Sequence, residues 1–254
     1  MSFRRKIFNS MGEKVHFCLK IAEILFKVHC SFDSTKEFCG DYLTDEIGDY
    51  HTIGITLEDI ERERPKLGGK NGDAECLSHA FLEPLVLCRK IACILPQFDR
   101  VLFHGSSLAI DGNGVLFTAK SGTGKSTHTR FWRETFGDRV VMVNDDKPFL
   151  HIAGDHVSVY GTPWRGKHRL GENICAPVKA ICFVCRGEEN RIEPVSSREL
   201  FPLLLQQTFS PEDPTAMVKT LALVDRLSRQ VPLYRLYCNL DPEAARTAYD
   251  GIMI

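Results

Sequence analysis

Val115-Leu-Phe-Thr-Ala-Lys-Ser-Gly-Thr-Gly-Lys-Ser-Thr127 is the stretch whose reading decides the fold. Its apolar start, Val115 to Phe117, predicts a short strand. A loop of small residues follows and ends in Gly124-Lys125-Ser126-Thr127, where the pattern turns helical. This order matches the phosphate-binding loop G-x-x-x-x-G-K-[ST], with Ala119 in place of the first glycine. A polyphosphate needs many N–H donors close together. Only a turn with little side-chain bulk lets backbone reach it, hence Gly122 and Gly124. The helix that starts there aims unpaired N–H groups and its positive dipole end at the same anion. Ser121, Gly122, Thr123, Gly124, Lys125, Ser126 and Thr127 are therefore the expected nucleotide-binding residues. Lys125 is expected on the β- and γ-phosphates, and the Ser126 hydroxyl on Mg²⁺.

Downstream, the helix is expected to run to about Phe136, where Gly137-Asp138 ends it. Val140 to Val143 is fully apolar and predicts a buried strand, which ends in Asn144-Asp145-Asp146. Carboxylates at the end of a buried strand beside a phosphate loop are the expected second metal-binding element. Two of them offer one for Mg²⁺ and one for proton chemistry. Upstream, Val101–His104 and Ser107–Asp111 read as strands, and Asp111-Gly112-Asn113-Gly114 as the tight turn into the loop strand.

The remainder of this half continues the α/β pattern. Phe149–Ile152 and His156–Tyr160 read as a hairpin. Gly161–Leu170 mixes glycine and proline with Trp164, Arg165, Lys167, His168 and Arg169, a composition suited to binding anions or stacking a base. Pro177–Cys185 is an apolar strand, and Ser196-Ser-Arg-Glu199 has capping-box spacing before a helix over 200–208 that contains Pro202. A helix over 214–230, a strand over 231–238 and a last helix from Asp241-Pro242-Glu243 complete the chain.

The first hundred residues carry no chemical motif. Alternating apolar residues over 14–30 predict two strands joined near Ala22-Glu23. A short helix is expected over 35–43, a strand over 50–57, a charged segment over 58–66 and a flexible glycine-rich loop over 68–73. Leu77 to Leu95 reads as a helix, firmest from Pro84 onward because proline suits a first turn. The expected organisation is a small α/β module over 1–99 followed by a nucleotide-binding domain over 100–254.

Composition narrows the function classes. With 43% hydrophobic and 26% charged residues, the 254-residue chain is expected to be an ordinary globular protein. A formal net charge of −1 argues against nucleic acid held by bulk charge. No apolar run approaches a membrane span, and the basic start, Met1 to Lys6, is not followed by a leader pattern, so a cytoplasmic location is expected. Ten cysteines are scattered through apolar runs. Cys182 and Cys185 have zinc-site spacing but fall three apart on a strand, on opposite faces, so core packing is the expectation.

The region from about 100 to 185 resembles the HPr kinase/phosphorylase family, bacterial kinases whose fold is related to phosphoenolpyruvate carboxykinase. Four features carry the likeness. His104-Gly105 precedes the loop lysine by some twenty residues, Ser121 to Ser126 is similar to the family's phosphate loop, Asp145-Asp146 to its Asp-Asp pair, and Arg165-Gly166 to the Arg-Gly of its second signature. Two departures stand out. Pro163 occupies the place of that signature's glutamate, and Ser126-Thr127-His128 replaces Ser-Glu-Thr. The resemblance implies a mixed-sheet, phosphoenolpyruvate carboxykinase-like kinase core that uses ATP and Mg²⁺. It also implies His104 and Arg165 gripping phosphates or orienting an acceptor, and a homo-oligomer.

The expected activity is transfer of the γ-phosphate to a hydroxyl, on a serine of a small protein or on a metabolite. Ser126 and Asp145 or Asp146 would hold Mg²⁺, and the other aspartate would take the proton. A non-catalytic nucleotide sensor is the alternative. It would keep the loop without needing both aspartates. A carboxykinase-type reaction needs a second metal site and a carboxylate-binding set, which the residues do not supply.

Overall fold

The tight turn at Asp111-Gly112 sets the order of the strands that matter. Both residues have positive φ, 49° and 79°, and Ile110 pairs with Asn113 across them. The turn thus folds β5 (Ser106–Ile110) antiparallel onto β6 (Asn113–Thr118), the strand that feeds the phosphate loop. In this computed structural model, which describes residues 14–67, 76–120 and 123–253, the chain divides into two units between Ile91 and Ala92. The basic Met1–Lys6 and the loop expected over 68–73 lie outside the described residues.

In the first unit, β1 (Val15–Ile21) and β2 (Ile24–Cys30) form the expected hairpin, with Ala22 and Glu23 at positive φ in its turn. β3 (His51–Gly54) adds parallel to β2. α1 (Asp33–Phe38) starts against a buried carboxylate: Glu83 accepts from the backbone N–H of Ser31 (2.7 Å) and Phe32 (3.1 Å) and from Thr35 Oγ1 (2.6 Å). The charged segment after β3 is a helix, α2 (Leu57–Glu63), begun by a capping box between Thr56 and Asp59. α3 (His79–Ile94) holds Pro84 in its interior. The helix therefore begins upstream of the expected firm start and gives up one backbone bond at the ring. Burial of Leu82, Val86, Leu87 and Ile91 on one stripe outweighs that loss.

The second unit is a mixed α/β structure. Its nine-stranded sheet contains β4 (Arg100–Leu102), β8 (Phe149–Ala153), β9 (His156–Tyr160), β10 (Cys175–Arg186), β6, β5 and β7 (Val140–Asn144) in that order. β12 (Leu233–Cys238) joins β10, and β11 (Arg191–Pro194) joins β12. The twelve-residue β10 bends the sheet: its start pairs antiparallel with β9, and the rest runs parallel to β6 and β12.

Period-two burial sorts the two faces. Leu116, Ile181 and Phe183 point into one core with α5 (Ser197–Gln207) and α6 (Pro214–Gln230). Val115, Phe117, Ala180, Cys182 and Val184 point into the other, with α4 (Lys125–Phe136) and α7 (Glu243–Met253). Helices on both faces explain why these strands read as continuous apolar runs. Cys182 is one of these core residues, as expected, and burial raises its thiol pKa. No helix among the described residues is long and apolar enough to cross a membrane.

Candidate functional site

Strand direction brings the motifs together. β5 is antiparallel to both β6 and β7, so β6 and β7 run the same way. Their carboxyl ends, the phosphate loop and Asn144-Asp145-Asp146, therefore emerge at one edge of the sheet. The start of β5, with His104, Gly105 and Ser106 leading into it, lies at that edge too. Outside the carboxyl ends of strands is where open α/β sheets bind ligands.

The phosphate loop closes on itself. Thr123 donates to the Lys120 carbonyl through both its N–H (3.2 Å) and its hydroxyl (2.7 Å), and Lys125 Nζ donates to the Ala119 carbonyl at 3.3 Å. Gly124 is the N-cap of α4 at φ 118°, and among the described residues a Cβ there would meet nothing within 4 Å. Gly124 has no side chain with which to cap the helix, whose first backbone bond is from His128 to Gly124. The N–H groups of its first turn are thus left without intrahelical partners, as an anion cradle requires. Ser126 is exposed and Thr127 half-buried on that turn. Ser121 and Gly122 lie outside the described residues.

Asn144 builds the acidic turn. Fully buried, it accepts at Oδ1 from the backbone N–H of Asp146 (2.9 Å) and Lys147 (2.7 Å). Its Nδ2 donates to the carbonyl (3.1 Å) and hydroxyl (2.9 Å) of Thr162. One side chain therefore fixes the backbone of the aspartates and anchors the loop that follows β9. That loop returns across the pair: Asp145 N–H donates to the Leu170 carbonyl at 3.1 Å, and Asn144 bridges to Gly171.

Asp145 is 8% exposed, and its Oδ1 accepts from Ser106 Oγ at 2.6 Å. Burial pushes its carboxyl pKa up, against the pull of Ser106, His168 and Arg133. Thr129 Oγ1 lies 3.4 Å from Ser106 Oγ and donates to the Ser126 carbonyl at 3.3 Å. Asp145 is thereby connected to the first turn of α4. Asp146 lies on the other side of the turn. It is paired with Lys147, and its Oδ1 is 3.5 Å from His104 Nε2.

His104 is held by Gln207, whose carbonyl accepts its N–H (2.7 Å) and whose Oε1 lies 3.1 Å from Nδ1. Its pKa is lowered, by burial first and then by the Lys125 charge, with Asp146 opposing. Lys125 in turn feels both aspartates, which oppose the lowering of its own pKa by burial. His104, Lys125, Asp145 and Asp146 thus share one electrostatic neighbourhood. Arg165 is half-buried, with its N–H on the Pro163 carbonyl at 3.1 Å, and Gly166 packs against Asp146.

Trp164 does not serve as a base-stacking residue. It is 2% exposed and stacks on Phe149, with ring centroids 6.2 Å apart. Ser106 and Gln207 were not legible as site residues. Ser106 directly follows the His104-Gly105 pair, whereas Gln207 lies a hundred residues further on, at the end of α5.

Among the described residues, no group of three or more His, Cys, Asp or Glu side chains could enclose a metal ion. Two carboxylates at the sheet edge that carries the phosphate loop still suit magnesium, which takes few protein ligands and completes its shell with water and phosphate oxygens.

No family model matches the chain, and no curated protein matches it. Among solved structures, it is similar to the HPr(Ser) kinase/phosphatase from Coxiella burnetii. That match has 16% identity, covers 50% of this chain and 97% of the other, and has a TM-score of 0.29.

Proposed function

We propose that the protein transfers the γ-phosphate of ATP to a hydroxyl, on a protein serine or a metabolite, with a core of the phosphoenolpyruvate carboxykinase-like type. One observation carries the reading: an uncapped helix start bearing Lys125 and a pair of aspartates meet at one sheet edge, with Lys125 in the field of both carboxylates.

Lys125 and the first turn of α4 bind and neutralise the β- and γ-phosphates. Ser126 and Asp145 are the residues to hold Mg²⁺, because the Ser106–Thr129 link places Asp145 on the α4 side. Bound there, the ion would neutralise charge on the phosphates. Asp146, on the His104 side, takes the proton as the acceptor oxygen bonds to the γ-phosphorus and the bond to the β-phosphate oxygen breaks, releasing ADP. His104 and Arg165 orient the acceptor or the γ-phosphate. Transfer of this kind is catalysed chiefly by placement and charge, which this rigid, hydrogen-bonded turn supplies. The amino-terminal unit, without a chemical motif, has a structural or acceptor-selecting role.

The test is incubation with γ-labelled ATP and Mg²⁺ in an extract of the source cells. Label reaching a protein or a small molecule, and blocked by EDTA and by Lys125→Ala, supports the proposal. Nucleotide binding without any transfer would replace it with the sensor reading.

A further inference from the structure

Backbone pairing lays the end of α5 along the segment that carries His104. Phe103 bridges antiparallel to Thr208, His104 N–H donates to the Gln207 carbonyl at 2.7 Å, and Phe209 N–H donates to the Leu102 carbonyl at 2.9 Å. Thr208 is buried, and its hydroxyl donates to the Leu204 carbonyl at 2.9 Å, which ties the strip to the last turn of α5. The His104 carbonyl accepts from Thr118 Oγ1 at 3.0 Å, at the end of β6. The backbone of His104 is thus fixed between α5 and the strand that feeds the phosphate loop.

The same strip fixes the ring. Gln207 is half-buried, and its Oε1 lies 3.1 Å from His104 Nδ1. A side-chain amide oxygen only accepts, so Nδ1 must carry the proton. In the neutral ring Nε2 is then bare, because the bond made by one nitrogen sets the state of the other. Nε2 faces Asp146, 3.5 Å from Oδ1. A made N–H···O bond closes to roughly 2.7–3.2 Å. Two acceptors stand further apart, and both stay open to a proton brought by a third group. A phosphate oxygen of ATP brings none, whereas a hydroxyl does.

We propose that Gln207 is a positioning residue that holds His104 in its Nδ1–H form, so that Nε2 receives the hydroxyl of the phosphoryl acceptor and does not grip the γ-phosphate. The hydroxyl proton lies between Nε2 and Asp146 Oδ1, and passes to Asp146 as the oxygen attacks. The inference rests on the transfer reading above and decides which of the two partners His104 meets.

Nitrogen-15 NMR of the histidine side chains in the full chain, at mildly alkaline pH, reads the tautomer. His104 is assigned by the signal lost in His104→Asn. Wild type is expected to show His104 protonated at Nδ1 and bare at Nε2. Gln207→Leu should move the proton to Nε2 and slow transfer from labelled ATP about five- to tenfold, the scale of one hydrogen bond. Its calorimetric affinity for ATP should not change. Gln207→Glu keeps an oxygen acceptor, and should keep the Nδ1–H form and recover most of the rate. The pairing of Phe103 and His104 with 207–208 is main chain only and survives both changes. A wild-type ring protonated at Nε2, or equal loss of transfer in both variants, overturns the positioning role and leaves the kinase reading standing. Weaker ATP binding in Gln207→Leu puts His104 on the phosphate and overturns its acceptor role. Absence of transfer by wild type sinks the kinase reading and that acceptor role together, while the NMR signal still decides whether Gln207 sets the tautomer.

Discussion

Ser106 Oγ donates to Asp145 Oδ1 across 2.6 Å, both residues being buried. The bond links the start of β5 to the end of β7 and holds the carboxylate in one orientation. Ser106→Ala should therefore cost about 1–3 kcal/mol, because it leaves a buried acceptor unmet, and should slow phosphate transfer more than it weakens ATP binding. Urea unfolding and initial-rate measurements on the same preparation check both parts.

Lys125→Ala should abolish ATP turnover with the fold intact, since among the described residues Lys125 Nζ makes a single hydrogen bond, to the Ala119 carbonyl. A circular dichroism melt close to wild type, with no ADP release, is the expected result. Full turnover would remove the loop from the reaction.

Gly166 has φ 69°, and a methyl placed there would sit 3.0 Å from Asp146 Cβ. Gly112 has φ 79°, with open space around its missing Cβ. Alanine at either position pays backbone strain of about 1–2 kcal/mol. Only Gly166→Ala also pushes on Asp146. Similar losses of stability, with activity lost in Gly166→Ala alone, are expected from paired melts and transfer assays.

His128 predicts a pH dependence. Burial lowers its pKa from 6.5 to about 3 in the folded protein. Below pH 6.5 the unfolded chain takes up a proton that the folded chain refuses, so this contribution is present at neutral pH and is lost as pH falls toward 3. Between pH 7 and pH 5 the loss is about 2 kcal/mol from this one group. Urea titrations at the two pH values should show that difference shrink in His128→Gln.

Much of the candidate site is legible in the sequence because its parts follow local rules. A strand, a small-residue loop and a lysine at a helix start announce themselves, and so do two acids after an apolar strand. The residues that hold those parts in place do not. Ser106 matters because β5 lies antiparallel between β6 and β7, and Asn144 because the loop after β9 returns to it at Thr162, long-range pairings that no local pattern displays. The composition of Gly161–Leu170 suits Trp164 to stacking a base, yet the loop turns its ring inward onto Phe149. Secondary structure failed where charge masked a pattern: α2 was missed despite the Thr56-x-x-Asp59 cap. Its charged residues pair with α3, Glu63 with Arg89 and Asp59 with Lys90. β11, Arg-Ile-Glu-Pro, holds one aliphatic residue and is a strand only because β12 pairs with it.

In the proposed function the loop and the aspartates act on one metal–nucleotide. This is tested most directly by electron paramagnetic resonance titration of Mn²⁺ with ATP, run beside a transfer assay on wild type, Asp145→Asn and Asp146→Asn. Asp145→Asn should weaken Mn²⁺·ATP binding. Asp146→Asn should bind it as wild type does but transfer phosphate about a hundredfold more slowly or worse. Unchanged metal–nucleotide binding and unchanged transfer in both variants would contradict the account.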